Sequence, residues 1–156
     1  MHAVFPGTFD PPTQGHVSIV ERASRIFAQI TVGISTSRRN AWLDSGVRLR
    51  LMVASCQHLG NVKCEMFDGL TADFAYKVGA KAIIRGLRTV NDYEYEKTMM
   101  AMNRQLRPDL TTVLLMTEPH LYHVSSSLIK EIVRVGSDPK DMLPAPVAKH
   151  VSGLIE

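Results

Sequence analysis

Short apolar runs alternate with longer amphipathic segments from one end of this chain to the other, and that rhythm restricts its fold more than any other feature. His2-Ala3-Val4-Phe5 is an apolar run stopped by Pro6-Gly7, the pattern of a buried strand entering a turn. From Gln14 to Gln29, residues Ile19, Val20, Ala23, Ile26 and Phe27 recur at helical spacing and leave Glu21, Arg22 and Arg25 for solvent. The unit then repeats. Further strands are predicted at 30–34, 62–67, 82–84 and 111–116, and helices at 47–59, 70–78, 92–106, 126–135 and 147–155, with 85–88 as a turn. Nearly continuous apolar strands separated by helices imply a five-stranded parallel sheet covered on both faces, in one α/β domain spanning residues 1–156. Ligands of such sheets bind beyond the carboxyl ends of the strands. The polar segments after strands one, two, four and five are therefore expected to share one edge.

Composition removes other classes of function. Hydrophobic residues make up 45% of the 156 residues and charged ones 21%, enough for a core and too little charge for a disordered chain. The net charge is +3, but no basic run exceeds the pair Arg38-Arg39 and no aromatics interleave with cations, so a phosphate-rich small ligand is favoured over nucleic acid. No apolar stretch approaches the ~18 residues of a membrane span, and no basic leader precedes the first strand, so a cytoplasmic protein is expected. Cys56 and Cys64 stand on different elements without CxxC spacing and read as two reduced core thiols.

The segment after the first strand, Pro6-Gly7-Thr8-Phe9-Asp10-Pro11-Pro12-Thr13-Gln14-Gly15-His16, has the makings of a phosphate cradle. Gly7 and Gly15 allow backbone amides close to an anion, Thr8 offers a hydroxyl, and His16 lies in the first turn of a helix, whose amino end favours negative charge. A helix-capping histidine is the competing reading. Neither GxGxxG nor GxxxxGK[ST] occurs, which disfavours dinucleotide oxidoreductases and P-loop enzymes. Arg85 and Arg88 bracket Gly86 and can grip phosphate bidentately, unless they serve salt bridges to Asp92 or Glu96. Ser125-Ser126-Ser127 precede the apolar pattern Leu128, Ile129, Ile132, Val133 and form a second helix amino terminus suited to phosphate, where plain capping would use one serine.

Thr13-Gln14-Gly15-His16 resembles the [HT]-x-G-H motif of the nucleotidylyltransferase superfamily. Together with Ile84-Arg85-Gly86-Leu87-Arg88, Asp92-Tyr93-Glu94-Tyr95-Glu96, Met102-Asn103-Arg104 and Val124-Ser125-Ser126-Ser127-Leu128-Ile129-Lys130, it makes nearly the whole chain similar to the bacterial phosphopantetheine adenylyltransferases. The resemblance implies a Rossmann-like, doubly wound sheet with C-terminal helices, a homohexamer, and adenylyl transfer from ATP to 4′-phosphopantetheine with Mg²⁺ held chiefly by ATP phosphates rather than by protein side chains. It further implies that Thr8, His16 and Arg88 act on the reacting phosphates. Phe9, Gly86, Leu87, Glu96 and the segment Leu121, Tyr122, His123, Val124, Ser125, Ser126, Ser127 would complete the ATP site, and Asp10 would organise the loop. Thr8, Thr71, Arg85 and a loop cation would hold the pantetheine substrate. Where the family has a lysine in the loop after strand two, this chain reads Ser37-Arg38-Arg39-Asn40, and Arg39 is the expected substitute with Arg38 the alternative. Where the family tends to show an aromatic before the serines, it reads Leu121-Tyr122-His123. His120 and His123 lack a carboxylate or cysteine to complete a zinc set. The eight methionines read as core filler, except that the 92–106 helix carries more apolar residues than one face needs and some are expected to meet another subunit. The nearest alternatives are a sister transferase acting on nicotinate mononucleotide or on glycerol or choline phosphate, and a nucleotide-binding regulator without turnover.

Overall fold

The computed structural model describes residues 1–37 and 41–154. Five strands, β1 (His2–Gly7), β2 (Gln29–Ser35), β3 (Val62–Phe67), β4 (Ala82–Leu87) and β5 (Thr111–Met116), form one sheet in the order β3-β2-β1-β4-β5, every pair parallel. Helices α1 (Gln14–Ser24), α2 (Ser45–Cys56), α3 (Thr71–Lys77) and α4 (Val90–Leu106) link the strands, and α5 (Ser126–Arg134) and α6 (Ala145–Ser152) finish the chain. This is the doubly wound sheet that the periodicity implies.

Alternation along the strands divides the core. Ala3, Phe5, Ile30, Val32, Ile34, Ala82 and Ile84 pack with Ile19, Val20 and Ala23 of α1 and Met52 and Cys56 of α2 on one face. Val4 and Ile83 turn to the other face and meet Ala72, Phe74 and Ala75 of α3. A third cluster, Leu43, Leu51, Ile129, Leu143, Val147 and Val151, fastens α5 and α6 to α2. Each fully buried Val, Leu or Ile side chain contributes ~1.5–3 kcal/mol of transfer free energy, so the two inner faces hold the sheet rigid beneath its loops.

The winding reverses between β1 and β4, the position where doubly wound sheets bind ligands. These two strands pair only through Ala3↔Ala82 and Val4↔Ile83 and then part, although β1 runs on to Gly7 and β4 to Leu87. The crevice thus opens between the strands themselves. Arg85, Gly86 and Leu87, expected in a turn, are instead strand residues, because β5 pairs with them through Leu114, Leu115 and Met116. Two short 3-10 turns, Pro119–Leu121 and Lys140–Met142, are additional to the expected elements. In α4 the buried residues are Glu96 and Asn103, while Met102 is 40% exposed and Met99 and Met100 are half-buried. The methionines of this helix are therefore not core filler, since its buried positions are the polar Glu96 and Asn103.

Candidate active site

The β1–α1 segment is built around a reciprocal cap. The Thr13 hydroxyl accepts the His16 backbone N–H at 3.4 Å, and His16 Nδ1 accepts the Thr13 backbone N–H at 3.1 Å. An amide can only donate, so Nδ1 must carry its lone pair and the imidazole proton sits on Nε2. Burial, followed by the charges of Arg88 and then Arg85, pulls the His16 pKa down to about 4. At neutral pH His16 is an uncharged imidazole with its Nε2–H free of the cap. The capping reading and the catalytic reading therefore describe two nitrogens of one ring.

Phe9, at φ +50°, tucks its buried ring edge-on against His16 at 5.0 Å and against Phe5 at 5.4 Å. Gly7 is required by that packing, since a Cβ there would stand 2.8 Å from the Phe9 ring. At Gly15 the nearest protein atom to such a Cβ is 3.6 Å away, so the space kept clear belongs to the crevice. Asp10, fully buried, accepts the backbone N–H groups of Trp42 at 2.9 Å and Leu43 at 2.8 Å and faces Lys130 Nζ at 3.4 Å. It anchors the β2–α2 loop and α5 to the base of the site, the organising role expected of it.

Arg48 carries no sequence signal, because it lies inside α2 among residues that read as an ordinary helix. Its buried guanidinium donates to the carbonyls of Thr8 at 2.6 Å, Ser35 at 3.0 Å and Leu43 at 2.9 Å. Three loop ends from separate parts of the chain are fixed by one cation. Charge-assisted bonds of this kind contribute ~1.5–3 kcal/mol each.

The crevice, ≈ 490 Å³, brings together Thr8, Phe9, His16, Arg85, Gly86, Arg88, Glu96, Val124, Ser125, Ser126 and Ser127. Asn91, Asp92, Tyr95 and Thr117 also line it and were not expected as ligand residues; Thr117, just beyond β5, donates its backbone N–H to Leu87 at 2.7 Å. The buried Leu87 and Leu121, the exposed Tyr122 and His123, and Thr71 at the start of α3 stand outside the lining. Arg38 and Arg39 lie outside the described residues.

Both arginines arrive paired. Arg85 donates to Glu96 at 2.6 Å and to the Pro6 carbonyl at 2.8 Å, and Arg88 meets Asp92 at 3.3 Å. Burial opposes ionisation of Asp92, but the backbone N–H and guanidinium of Arg88 outweigh it and hold its carboxyl below the usual carboxylate value. Across the crevice, Ser125 caps α5 by accepting the Leu128 N–H at 3.1 Å, and Ser126 donates to the Pro11 carbonyl at 2.8 Å. Two of the three serines thus have structural bonds. Neither α1 nor α5 has an acidic residue in its first turn, where Asp and Glu would satisfy the positive end of the helix dipole. Two helix amino termini, two guanidiniums and a neutral imidazole N–H converge on one space, an arrangement for a polyanion whose charge increases in place.

The model of the Cytidylyltransferase-like family matches residues 4–132. The phosphopantetheine adenylyltransferase of Thermosynechococcus vestitus is 42% identical over 97% of this chain and 90% of its own length, and that of Levilactobacillus brevis 43% identical over 99% and 96%. Among solved structures, a chain from Vibrio parahaemolyticus assigned as a nicotinate-nucleotide adenylyltransferase superposes with a TM-score of 0.72 at 20% identity, covering 96% of this chain and 90% of that one; it attests the fold alone.

Proposed function

Because the chain belongs to the Cytidylyltransferase-like family and matches phosphopantetheine adenylyltransferases over nearly its full length, we propose that it transfers the adenylyl group of ATP to 4′-phosphopantetheine. The products are dephospho-coenzyme A and pyrophosphate. One observation of the site carries the reading: a neutral imidazole donor at the amino end of α1 shares the crevice with the amino end of α5, and neither helix has an acidic residue in its first turn.

The chemistry asks little of the protein in proton transfer. A phosphate oxygen of 4′-phosphopantetheine attacks the α-phosphorus of ATP, a new P–O bond forms, and the bond to the bridging oxygen breaks with its electron pair leaving on pyrophosphate. The nucleophile is already anionic, so no general base is needed. Catalysis consists of holding the two phosphates in line and stabilising the charge that builds on the α-phosphate oxygens. His16 Nε2–H and the α1 amino end are assigned that charge, with Thr8 beside them. Arg88 and the α5 serines are assigned the ATP phosphates, with Phe9, Gly86 and the 121–124 segment around the nucleotide. Arg85, seated on Glu96, is assigned the acceptor phosphate, and Thr71 the pantetheine arm along the sheet's carboxyl edge. Asp92 and Glu96, the carboxylates of the crevice, are engaged by Arg88 and Arg85. Mg²⁺ is accordingly read as entering on ATP, held by phosphate oxygens and water, where it neutralises phosphate charge.

No helix among the described residues is long and apolar enough to cross a membrane. A cytoplasmic location and a homohexamer are part of the proposal, and the exposed Val90, Met102 and Leu106 along α4 support contact with another copy. The test is to give the protein MgATP with each acceptor, identify products by mass and measure pyrophosphate. 4′-Phosphopantetheine is expected to yield dephospho-coenzyme A, and pantetheine, which lacks the nucleophile, nothing. Equal turnover of nicotinate mononucleotide would overturn the assignment.

A further inference from the structure

Seven residues separate Cys56 from Cys64, and the fold returns the second thiol to the first. Cys56 ends α2 and Cys64 is the third residue of β3. Within β3, Val62 and Cys64 face the core layer beneath α1 and α2, whereas Lys63 and Glu65 are exposed. Cys56 is buried, with its Sγ 3.8 Å from Met52 Sδ, and its side chain interacts with that of Cys64. Cys64 is partly exposed. Both line a cavity of ≈ 350 Å³ bordered by Val53, Gln57, Lys63 and Glu65, whose lining shares no residue with the crevice between β1 and β4. Both are free thiols of the core layer, as the sequence reading has them, but Cys64 is only partly buried and meets solvent with a second thiol nearby.

We propose that Cys64 and Cys56 are a redox-active pair that closes to an intramolecular disulfide on exposure to a small peroxide, Cys64 as the attacking thiolate and Cys56 as the resolving thiol. The neighbouring Cys56 thiol lowers the Cys64 pKa against the opposing effect of burial, and the Cys64 thiol, followed by burial, raises that of Cys56; the partial exposure of Cys64 and the burial of Cys56 act in the same sense. The two sulfurs are thereby made unequal, as attack and resolution require. In the first step the Cys64 thiolate displaces hydroxide from hydrogen peroxide, and the sulfur gains an oxygen as sulfenic acid. In the second the Cys56 sulfur attacks that sulfur, the S–O bond breaks and water leaves with the thiol proton. Two electrons pass from the dithiol to the peroxide. The product ties the end of α2 to the edge strand β3.

Intact mass and thiol alkylation, applied to folded protein before and after hydrogen peroxide, test this. Wild type is expected to lose the mass of two hydrogens and both alkylatable thiols, and to regain them with dithiothreitol. Cys56→Ser should stop at one added oxygen on Cys64, captured by dimedone, while Cys64→Ser stays unmodified over the same time. Before oxidation, iodoacetamide should label Cys64 at least ~10-fold faster than Cys56, and urea should erase that preference. The proposal is overturned if oxidised wild type keeps two free thiols, if Cys64 passes to sulfinic acid with Cys56 free, or if the disulfide links separate chains. The wild-type measurements stand alone should a serine variant fail to fold.

Discussion

Replacing His16 by asparagine separates the two nitrogens of the ring. Asparagine Oδ1 is attached to Cγ, as histidine Nδ1 is, so His16→Asn can still accept the Thr13 backbone N–H that Nδ1 accepts at 3.1 Å. Nothing in asparagine reaches as far as Nε2. Alanine removes both functions. Loss of the Nδ1 half of the cap, one hydrogen bond, costs ~0.5–1.5 kcal/mol, which in a chain of this length lowers Tm by roughly 2–6 °C. Loss of a donor aimed at a developing oxyanion costs ~2.7–4 kcal/mol, or ~10²–10³ in kcat, with little effect on ground-state ATP affinity. His16→Asn should therefore melt like wild type yet turn over ~10²–10³ more slowly, and His16→Ala should suffer both losses. Differential scanning and single-turnover pyrophosphate release on the same preparations read the two effects separately. The reasoning is refuted if His16→Asn melts normally and keeps its turnover within ~3-fold, because the Nε2–H would then have no part in the chemistry.

Two further outcomes follow from the same geometry. Arg48→Met leaves the buried Leu43 carbonyl and the part-buried carbonyls of Thr8 and Ser35 without this donor, and a loss of ~1–3 kcal/mol, the cost of the one fully buried group, is expected in urea melts; a variant that melts like wild type would sink the anchoring role. The His16 pKa of about 4 in the folded protein lies below the ~6.5 of an unfolded histidine, so between those values the unfolded chain binds the extra proton and stability declines as pH falls. At ~1.4 kcal/mol per pH unit, acidification from pH 7 to 5 should cost wild type ~2 kcal/mol more than His16→Asn; equal losses in urea melts at the two pH values would contradict it.

The order of elements was legible because each strand is short and apolar and each helix amphipathic, and local periodicity survives without tertiary context. β3 and β5 match their predicted bounds for that reason. β4 was cut short at Ile84, because Arg85-Gly86-Leu87 has no strand pattern of its own and becomes strand only through the ladder with Leu114, Leu115 and Met116. In α4 the apolar spacing of Tyr95, Met99, Met102 and Leu106 was visible, but period alone does not say which side of a helix meets the sheet. Glu96 and Asn103, seven residues apart, are the buried pair, and Glu96 meets β4 through an ion pair with Arg85. Arg48 was illegible in a stricter sense. Its three acceptors belong to the β1–α1 segment, the end of β2 and the loop before α2, and no local pattern can announce a partner that folding supplies. The Thr13–His16 motif was legible because its cap spans three residues, although the assignment of Nδ1 to the cap and Nε2 to the crevice required coordinates.

The arginine pairs explain how a crevice so rich in positive charge can be preformed. Two guanidiniums beside a desolvated imidazole would repel one another and depress the fold unless carboxylates balanced them. Glu96 and Asp92 do so, on different terms. Arg85 is clamped, with Glu96 at 2.6 Å and the Pro6 carbonyl at 2.8 Å, and Glu96 is only 6% exposed. A guanidinium has more N–H donors than those two bonds occupy, so Arg85 can take a phosphate while keeping its seat. Arg88 is held more loosely, by side-chain contacts of 3.3 and 3.4 Å to Asp92 and 3.4 Å to the Val124 carbonyl. Those long contacts can be exchanged for phosphate oxygens at small cost. The two arginines of one Arg-Gly-Leu-Arg stretch are thus held on unequal terms, Arg85 by short bonds and Arg88 by long ones. Glu96, which the resemblance places among ATP contacts, is bonded to Arg85 in this structure.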